Sequence, residues 1–285
     1  MSPGSWAGVP AAWKGRSPEA WARRLGVPLL ELHGRLPSTS CRLRELVSKG
    51  VAPMTAIVAG AQTEGRGRGG TRWHSADDSG LWISLLLPVE PAGMSGAVPL
   101  AVGVATARAL ERAGGGGASV ALKWPNDLLI GDRKVAGILC EAVALGPERV
   151  GGGVIVGIGV NLRLPRGGLP PDLLSAAAFL EEVRGRDVTE PELARLLVEE
   201  LQRWAHPAPS ALSPGLREEW EARDRLRGAR VLCDRGVTGM ARGISEDGGL
   251  EVACPGGVVV VRSGSVRLAA PGASPALHST STFES

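Results

Sequence analysis

KWPNDLLIGDRKVAGILCE, residues 123–141, is a largely apolar stretch with two sharp breaks in it. Pro125-Asn126 forms the first break and Gly131-Asp132 the second, and these residue types favour turns and interrupt strands. Strands joined by such short turns pair antiparallel, so the sequence predicts a β meander here. Helices and largely antiparallel strands are mixed along the rest of the chain. The predicted fold class is therefore α+β, with a mixed, mainly antiparallel sheet flanked by helices.

Apolar runs at 55–62, 80–88 and 152–162 are predicted as further strands. The last of these is apolar throughout, which is typical of a central strand covered on both faces. Apolar residues recur with helical spacing over 97–113 and 190–205, and both segments are predicted to be helices.

Two shorter helices are predicted nearer the N-terminus. Ser17 and Pro18 are typical of the N-cap and first position of a helix that stops at Gly26. The segment 41–49 is the second candidate, and Gly50 closes it.

The 285 residues suffice for one large domain and one small one. Residues 1–36 are fewer than the roughly 50 that an independent domain needs, so they are predicted to be an N-terminal extension of a main domain at 37–222. Short alternating strands at 223–270 predict a small β-barrel docked on that domain. The polar tail at 271–285 carries no packing signal and is predicted to be disordered.

Composition and charge disfavour several classes of function. Lys and Arg outnumber Asp and Glu by only 32 to 29, and the net charge of +3 does not favour a nucleic-acid partner. The sequence has no run of 18 consecutive apolar residues, so no membrane-spanning helix is predicted. The four cysteines and four histidines are scattered without metal-ligand spacing. So few cysteines suit a reducing compartment, and the expected location is the cytoplasm.

TEGRGRGG, residues 63–70, has the glycine spacing of a dinucleotide-binding turn. Such a turn must open a helix, but residues 71–80 contain turn formers without apolar periodicity, which argues against that interpretation. One copy of the motif is also too little for an RGG-type nucleic-acid segment. Two interpretations stay open: an arginine-rich surface loop, or an anion clamp in which Arg66 and Arg68 grip one phosphate or carboxylate beside the flat ring of Trp73.

GIGVNL, residues 157–162, predicts an unusual strand face. Side chains alternate along a strand, so Gly157, Gly159 and Asn161 share one face. Two glycines there leave room for a flat ligand or for a closely packed neighbouring element.

Two features of the meander also have alternative interpretations. Asn126 and Asp127 fit ordinary turn chemistry as well as a functional site. Lys134, with Ala136 and Ile138 as alternation partners, is expected either at a rim or pointing into a pocket.

Taken together, these segments resemble the biotin protein ligases. The matching elements occur in the order of that family, and the resemblance runs from about residue 37 to 268. In sequence order they are Ser38-Thr39, GAQTEGRGRGGTRW, GLWISLLLP, KWPNDLLIGDRKVAGIL and GIGVNL.

The resemblance implies a catalytic biotin- and ATP-binding domain related to class II aminoacyl-tRNA synthetases and lipoate ligases, followed by an SH3-like barrel. It implies activation of biotin by ATP and Mg²⁺ to biotinyl-5′-AMP, then transfer to a lysine of a biotin carboxyl carrier protein or domain. A lipoate or octanoate ligase on the same core is the alternative. Too few residues precede Ser38 for the family's winged helix-turn-helix, so a ligase-only member without nucleic-acid binding is expected, as a monomer or homodimer.

The resemblance also assigns site residues. The implied biotin-binding residues are Ser38, Thr39, Ser40, Gln62, Arg66, Gly67, Arg68, Lys134, Gly137, Ile138, Gly157 and Gly159. The implied ATP-binding residues are Arg66, Arg68, Trp73, Asn126, Asp127, Lys134 and Asn161. The implied catalytic residues are Lys134, Arg66, Arg68, Asp127 and Lys123. No metal ligand is assigned, and Ser40 replaces the asparagine usual in the family.

Overall fold

The computed structural model describes residues 13–89, 95–115, 119–145, 152–183 and 188–269. The helices within these ranges are α1 (Pro18–Leu25), α2 (Thr39–Val47), α3 (Ala97–Ala113), α4 (Pro171–Ala176), α5 (Glu190–Trp204) and α6 (Pro214–Glu221). The predicted tail at 271–285 and the first twelve residues of the predicted extension lie outside the described residues.

Seven strands form the main sheet: β1 (Leu30–Leu36), β2 (Ala56–Gln62), β3 (Gly80–Pro88), β4 (Ala121–Lys123), β5 (Asp127–Ile130), β6 (Arg133–Ala144) and β7 (Gly152–Asn161). Their spatial order is β1-β2-β3-β7-β6-β5-β4. Only β1 and β2 run parallel within this sheet, and the other neighbouring pairs are antiparallel. The predicted α+β class, the antiparallel meander and the central position of β7 are confirmed.

Helices cover both faces of this sheet. The long helices α3 and α5 pack together and bury one face in the larger apolar core, which includes Val104, Ile138 and Leu197. On the other face, α2 packs Leu43 against Ile155 in a smaller core. The smaller core leaves part of the α2 face of the sheet open for a cavity.

The N-terminal segment differs from the prediction. Its helix α1 forms as expected, since the Ser17 hydroxyl accepts a hydrogen bond from the Ala20 N–H and Gly26 ends the helix at φ +69°. Strand β1 was not predicted, because LELHGRL (30–36) does not alternate between apolar and polar residues. It pairs with β2 at the edge of the main sheet, although it precedes residue 37, where the main domain was predicted to begin.

The C-terminal residues form a second, antiparallel sheet. Its strands are β8 (Arg230–Cys233), β9 (Thr238–Ile244), β10 (Leu250–Cys254), β11 (Gly257–Val261) and β12 (Val266–Leu268). Their order is β11-β10-β9-β8-β12, and among the described residues β11 and β12 are outer strands that do not pair, so no closed barrel is found. The sheet docks on the main domain through a shared core and a hydrogen bond from the Trp124 indole to the Gly248 carbonyl, 3.0 Å.

Across the described ranges, no helix is both long and apolar enough to cross a membrane.

Candidate active site

A cavity of about 430 Å³ opens on the α2 face of the main sheet. It lies between the start of α2, the strands β6 and β7, the loop 63–73, called here the arginine loop, and the segment 163–179. The predicted site residues that line it are Ser38, Thr39, Ser40, Gln62, Arg66, Gly67, Arg68, Trp73, Asn126, Asp127, Lys134, Gly137, Ile138, Gly157, Gly159 and Asn161.

Lys123 is the exception among the predicted site residues. It lies on β4 opposite Asp127 in the β4–β5 pair, and it is not part of the cavity lining. The structure therefore places Lys123 next to a lining residue but outside the lining itself, and its catalytic role stays a prediction.

One end of the cavity is a connected set of small polar side chains. The Thr39 N–H donates to the Gln62 Oε1 at 2.9 Å, and the Thr39 hydroxyl lies 2.7 Å from the Ser84 hydroxyl. Ser40 joins the same set, with its hydroxyl 3.0 Å from that of Ser84. Ser38, Thr39, Ser40 and Ser84 are buried. Hydroxyls that both donate and accept, held in place by one another, are suited to binding a small polar head group.

The three glycines Gly137, Gly157 and Gly159, called here the glycine wall, allow side chains to approach the sheet closely. A Cβ on Gly159 would lie 2.5 Å from the Trp73 Nε1, and one on Gly137 would lie 2.8 Å from the same indole. A Cβ on Gly157 would lie 2.7 Å from the Ser40 hydroxyl. The sequence left open whether this face serves a ligand or close packing. Here it packs against Trp73 while still lining the cavity.

Trp73 lies on the glycine wall with its indole N–H buried and without a hydrogen-bond partner among the described residues. Trp82 meets it edge-on, with ring centroids 6.4 Å apart. A buried donor without a partner carries a free-energy cost that an acceptor on a ligand would remove.

Lys134 points into the cavity. Its Nζ forms an ion pair with Asp127 Oδ1 at 2.5 Å and lies 5.0 Å from the centroid of the Trp73 ring. The predicted alternation with Ala136 and Ile138 is wrong. A shift of register pairs Leu129 with Lys134 but Leu128 with Ala136, which leaves Val135 as an extra residue.

The two asparagines hold backbone segments around the cavity. The Asn126 amide donates to the Ile138 carbonyl at 2.9 Å, which fixes the turn after β4 onto β6. The Asn161 amide donates to the carbonyls of Lys134 at 3.2 Å and Ala178 at 3.3 Å. Both side chains therefore contribute to the shape of the cavity wall.

The arginine loop contains a single 3₁₀ turn, Arg68–Gly70, rather than a helix. The expectation that no helix follows the glycine motif is thus confirmed for residues 71–79. Arg66 Nη2 lies 3.4 Å from Glu141 Oε2, whereas Arg68 Nη1 donates to the Gly264 carbonyl of the C-terminal sheet at 3.3 Å. The two arginines thus border the cavity from different sides and do not share one partner.

Positive charge predominates in the lining. Besides the two loop arginines and Lys134, Arg72 and Arg163 line the cavity, and Asp127 is the acidic residue in the lining. An anionic ligand suits such a cavity, because fixed cations lower the energy of a negative charge placed among them.

Two family models match this chain. The biotin/lipoate A/B protein ligase family matches residues 33–161, and the biotin protein ligase C-terminal domain matches residues 230–268. A biotin–[acetyl-CoA-carboxylase] ligase of Paracoccus denitrificans is 30% identical over 236 residues, which are 81% of this chain and 97% of that protein. The chain belongs to the biotin protein ligase family.

Other biotin protein ligases extend the comparison. The bifunctional ligase/repressor BirA of Bacillus subtilis is 36% identical over 157 residues, 55% of this chain and 47% of that protein. The chain thus spans about half the length of such bifunctional relatives. The structure of the biotin protein ligase from Aquifex aeolicus in complex with biotin and ATP has 29% identity and a TM-score of 0.68, and the match covers 84% of this chain and 99% of that one.

Sequence reasoning missed several parts of this biotin protein ligase site. Ser84 was hidden in an apolar strand, although it is the one polar side chain in GLWISLLLP. Other lining residues belong to no sequence motif, and only the tertiary fold brings them to the cavity. They are Arg163, residues within 165–179, and Ser265.

Proposed function

We propose that this chain activates biotin with ATP to form biotinyl-5′-AMP and then transfers biotin to a lysine of a biotin carboxyl carrier protein or domain. The observation that carries the proposal is a single cavity with a hydroxyl-lined end, a glycine wall and several fixed cations. A flat, uncharged ring system with a carboxylate tail fits the first two features, and phosphates fit the third.

In the first proposed step, a carboxylate oxygen of biotin attacks the α-phosphorus of ATP. A new P–O bond forms, the bond to the β-phosphate breaks, and pyrophosphate leaves. Two unit negative charges 4 Å apart repel by about 4 kcal/mol at an effective dielectric constant of 20. We assign Lys134, Arg66 and Arg68 to reducing this repulsion, with Lys134 between the carboxylate and the α-phosphate.

Mg²⁺ fits this proposal as a partner of the phosphates. No group of three or more His, Cys, Asp or Glu residues suitable for a metal occurs in the described part of the chain. Mg²⁺ is often held by one or two carboxylates and the substrate phosphates, and Asp127 is the carboxylate available in the lining. Bound there, Mg²⁺ would neutralise phosphate charge.

In the second proposed step, the acceptor lysine amine attacks the acyl carbon of the adenylate. A C–N bond forms, the bond from the acyl carbon to the phosphate oxygen breaks, and AMP leaves. The amine must lose its protons, and we propose Asp127 as the group that helps to receive one. Its ion pair with Lys134 also fixes the position of the lysine cation. Lys123 lies outside the cavity lining, and its predicted catalytic role stays a prediction without an assigned step.

We propose a catalytic unit up to about residue 222 and a C-terminal unit at 223–270. Cys41, Cys140, Cys233 and Cys254 are all free thiols, which supports a reducing, cytoplasmic location. The carrier domain as acceptor, the monomer or homodimer, and the absence of nucleic-acid binding stay predictions. A lipoate or octanoate ligase is not favoured, since the matched relatives are named for biotin.

A transfer assay tests the proposed function. The protein would be incubated with ATP, MgCl₂, a biotin carboxyl carrier domain or a lipoyl domain, and labelled biotin or labelled lipoate. We expect label only from biotin on the biotin carrier, and none on a carrier whose acceptor lysine is changed to arginine. Labelling of the lipoyl domain with lipoate at an equal or higher rate would contradict the proposal.

A further inference from the structure

The turn between β11 and β12 reaches from the C-terminal sheet to the cavity. Ser265 lines the cavity, and the carbonyl of its neighbour Gly264 accepts the hydrogen bond from Arg68. Arg68 belongs to the arginine loop nearly two hundred residues earlier in the chain. The contact therefore joins the arginine loop to a turn of the C-terminal sheet beside the cavity.

Asp234, on the turn after β8, holds this turn in place. Its Oδ2 accepts the Ser265 N–H at 2.6 Å, and its Oδ1 accepts the Ser265 hydroxyl at 2.7 Å. In return, the Asp234 N–H donates to the Ser265 carbonyl at 3.1 Å. Three hydrogen bonds between two residues fix the turn more firmly than one flexible side-chain contact would.

Asp234 also lies close to the backbone of Gly264. This residue has φ +115°, and a Cβ at this position would lie 2.8 Å from the Asp234 Oδ2. Only glycine adopts that backbone conformation without strain, so the carbonyl that faces Arg68 depends on both the glycine and the carboxylate beside it.

The charges of Asp234 and Arg68 also favour this contact between the turn and the arginine loop. Hydrogen bonds from Ser265 hold the pKa of the Asp234 carboxyl below its usual value of 3.8, and the positive charges of Arg267 and Arg68 lower the pKa further. Asp234 is therefore ionised at neutral pH, and its negative charge lies within range of the Arg68 guanidinium.

We infer that Asp234 is a positioning residue for the arginine loop. Through the turn at Gly264 and Ser265 it holds Arg68 at the cavity, and so it restricts movement of the loop away from the C-terminal sheet. The inference concerns loop position and stands without the proposed chemistry. Only its consequence, slower escape of an adenylate, rests on the proposed function.

Limited proteolysis of the ligand-free protein tests the inference, because Arg66, Arg68 and Arg72 are trypsin sites within the loop. We expect Asp234→Ala to speed cleavage in the loop by about fivefold, the change expected from loss of one hydrogen bond worth about 1 kcal/mol. Asp234→Asn should restore most of the protection, since its amide oxygen can accept the Ser265 N–H while its NH₂ donates to the hydroxyl.

Asp247→Ala is the matched control. Asp247 also accepts hydrogen bonds from a serine, Ser245, and from Arg262 directly after β11, but it has no contact with the arginine loop among the described residues. We expect loop cleavage in this variant to equal that of the wild type. Where Asp234→Ala fails to fold, Ser265→Ala replaces it, since this variant keeps the backbone bond to Asp234 and should show a smaller increase.

A double variant separates positioning from general loosening. In an Arg68→Ala background, Asp234→Ala should add no further cleavage at Arg66 or Arg72, because the group through which it acts is gone. Unchanged cleavage in Asp234→Ala, or an equal increase with and without Arg68, would overturn the inference. A chain that protects its loop as expected but transfers no biotin would contradict the proposed function and leave the positioning role standing.

Discussion

Lys134 combines features that suit a catalytic cation. Its ammonium lies in the cavity, is paired with Asp127 and lies near the Trp73 ring. Because the proposed first step brings two anions together, Lys134→Ala should slow adenylate formation by about 100-fold, equivalent to about 2.7 kcal/mol. Release of labelled pyrophosphate in single-turnover experiments measures this step. Lys49→Ala, in the exposed turn after α2, is the control and should retain the wild-type rate. A Lys134→Ala rate within threefold of wild type would contradict the role.

At the level of single residues, the sequence motifs identified most of the cavity lining. GRGRGG, KWPND and GIGVNL each allowed a structural as well as a functional interpretation, and it was their joint resemblance to one family that pointed to a site. Ser84 and Ser265 were missed for a different reason. Each is an ordinary serine in a strand or turn. Only the tertiary fold brings Ser84 against Thr39 and Ser40 and places Ser265 in the cavity lining. The roles of the predicted residues stay predictions.

Within strand β7, two glycines that look alike in sequence should respond differently to alanine. At Gly159 a methyl group would lie 2.5 Å from the Trp73 indole nitrogen, so the ring must move from the glycine wall. We expect Gly159→Ala to weaken biotin and ATP binding by at least about tenfold, as measured by titration calorimetry. At Gly152 the nearest atom is the Val143 carbonyl oxygen at 3.6 Å, so Gly152→Ala should bind like the wild type. Equal affinities for the two variants would show that Trp73 packing does not shape the site.

The differences between predicted and observed elements have local physical causes. The periodicity of two fails at Lys134 because the extra residue Val135 resets which side chains face the core. The same rule missed β1, where His33 is buried but Gly34 and Arg35 are exposed. Burial at a parallel edge strand depends on what packs against it, and that information lies outside the strand's own sequence.

For the whole molecule, the link between β1 and α2 matters because the N-cap and first residues of α2, Ser38–Ser40, line the cavity. Arg42 on α2 makes two hydrogen bonds to the Glu31 carboxylate on β1, at 2.8 and 2.9 Å, and His33 lies 2.9 Å from the same carboxylate. Burial raises the pKa of Glu31, but hydrogen bonds from Arg42 and His33 outweigh it, and the pKa falls below its usual 4.5. A carboxyl with a lowered folded-state pKa stabilises the fold above its unfolded-state pKa, and this contribution is lost on acidification.

Glu31→Gln should therefore lower the free energy of unfolding by about 2 kcal/mol at pH 7, the typical contribution of hydrogen bonds to a charged group. The deficit should remain constant down to about pH 5 and shrink as the pH falls below 4.5, because Glu31 of the unfolded chain is protonated first. It should be gone once the pH has also fallen through the lower pKa of Glu31 in the folded protein. Urea unfolding followed by tryptophan fluorescence between pH 7 and 3 measures both curves. Glu45→Gln removes a partner of Arg42 on the exposed side of α2 and should cost less than about 0.5 kcal/mol at every pH. A Glu31→Gln deficit that does not change with pH would mean that shape, and not the charge of Glu31, joins β1 to α2.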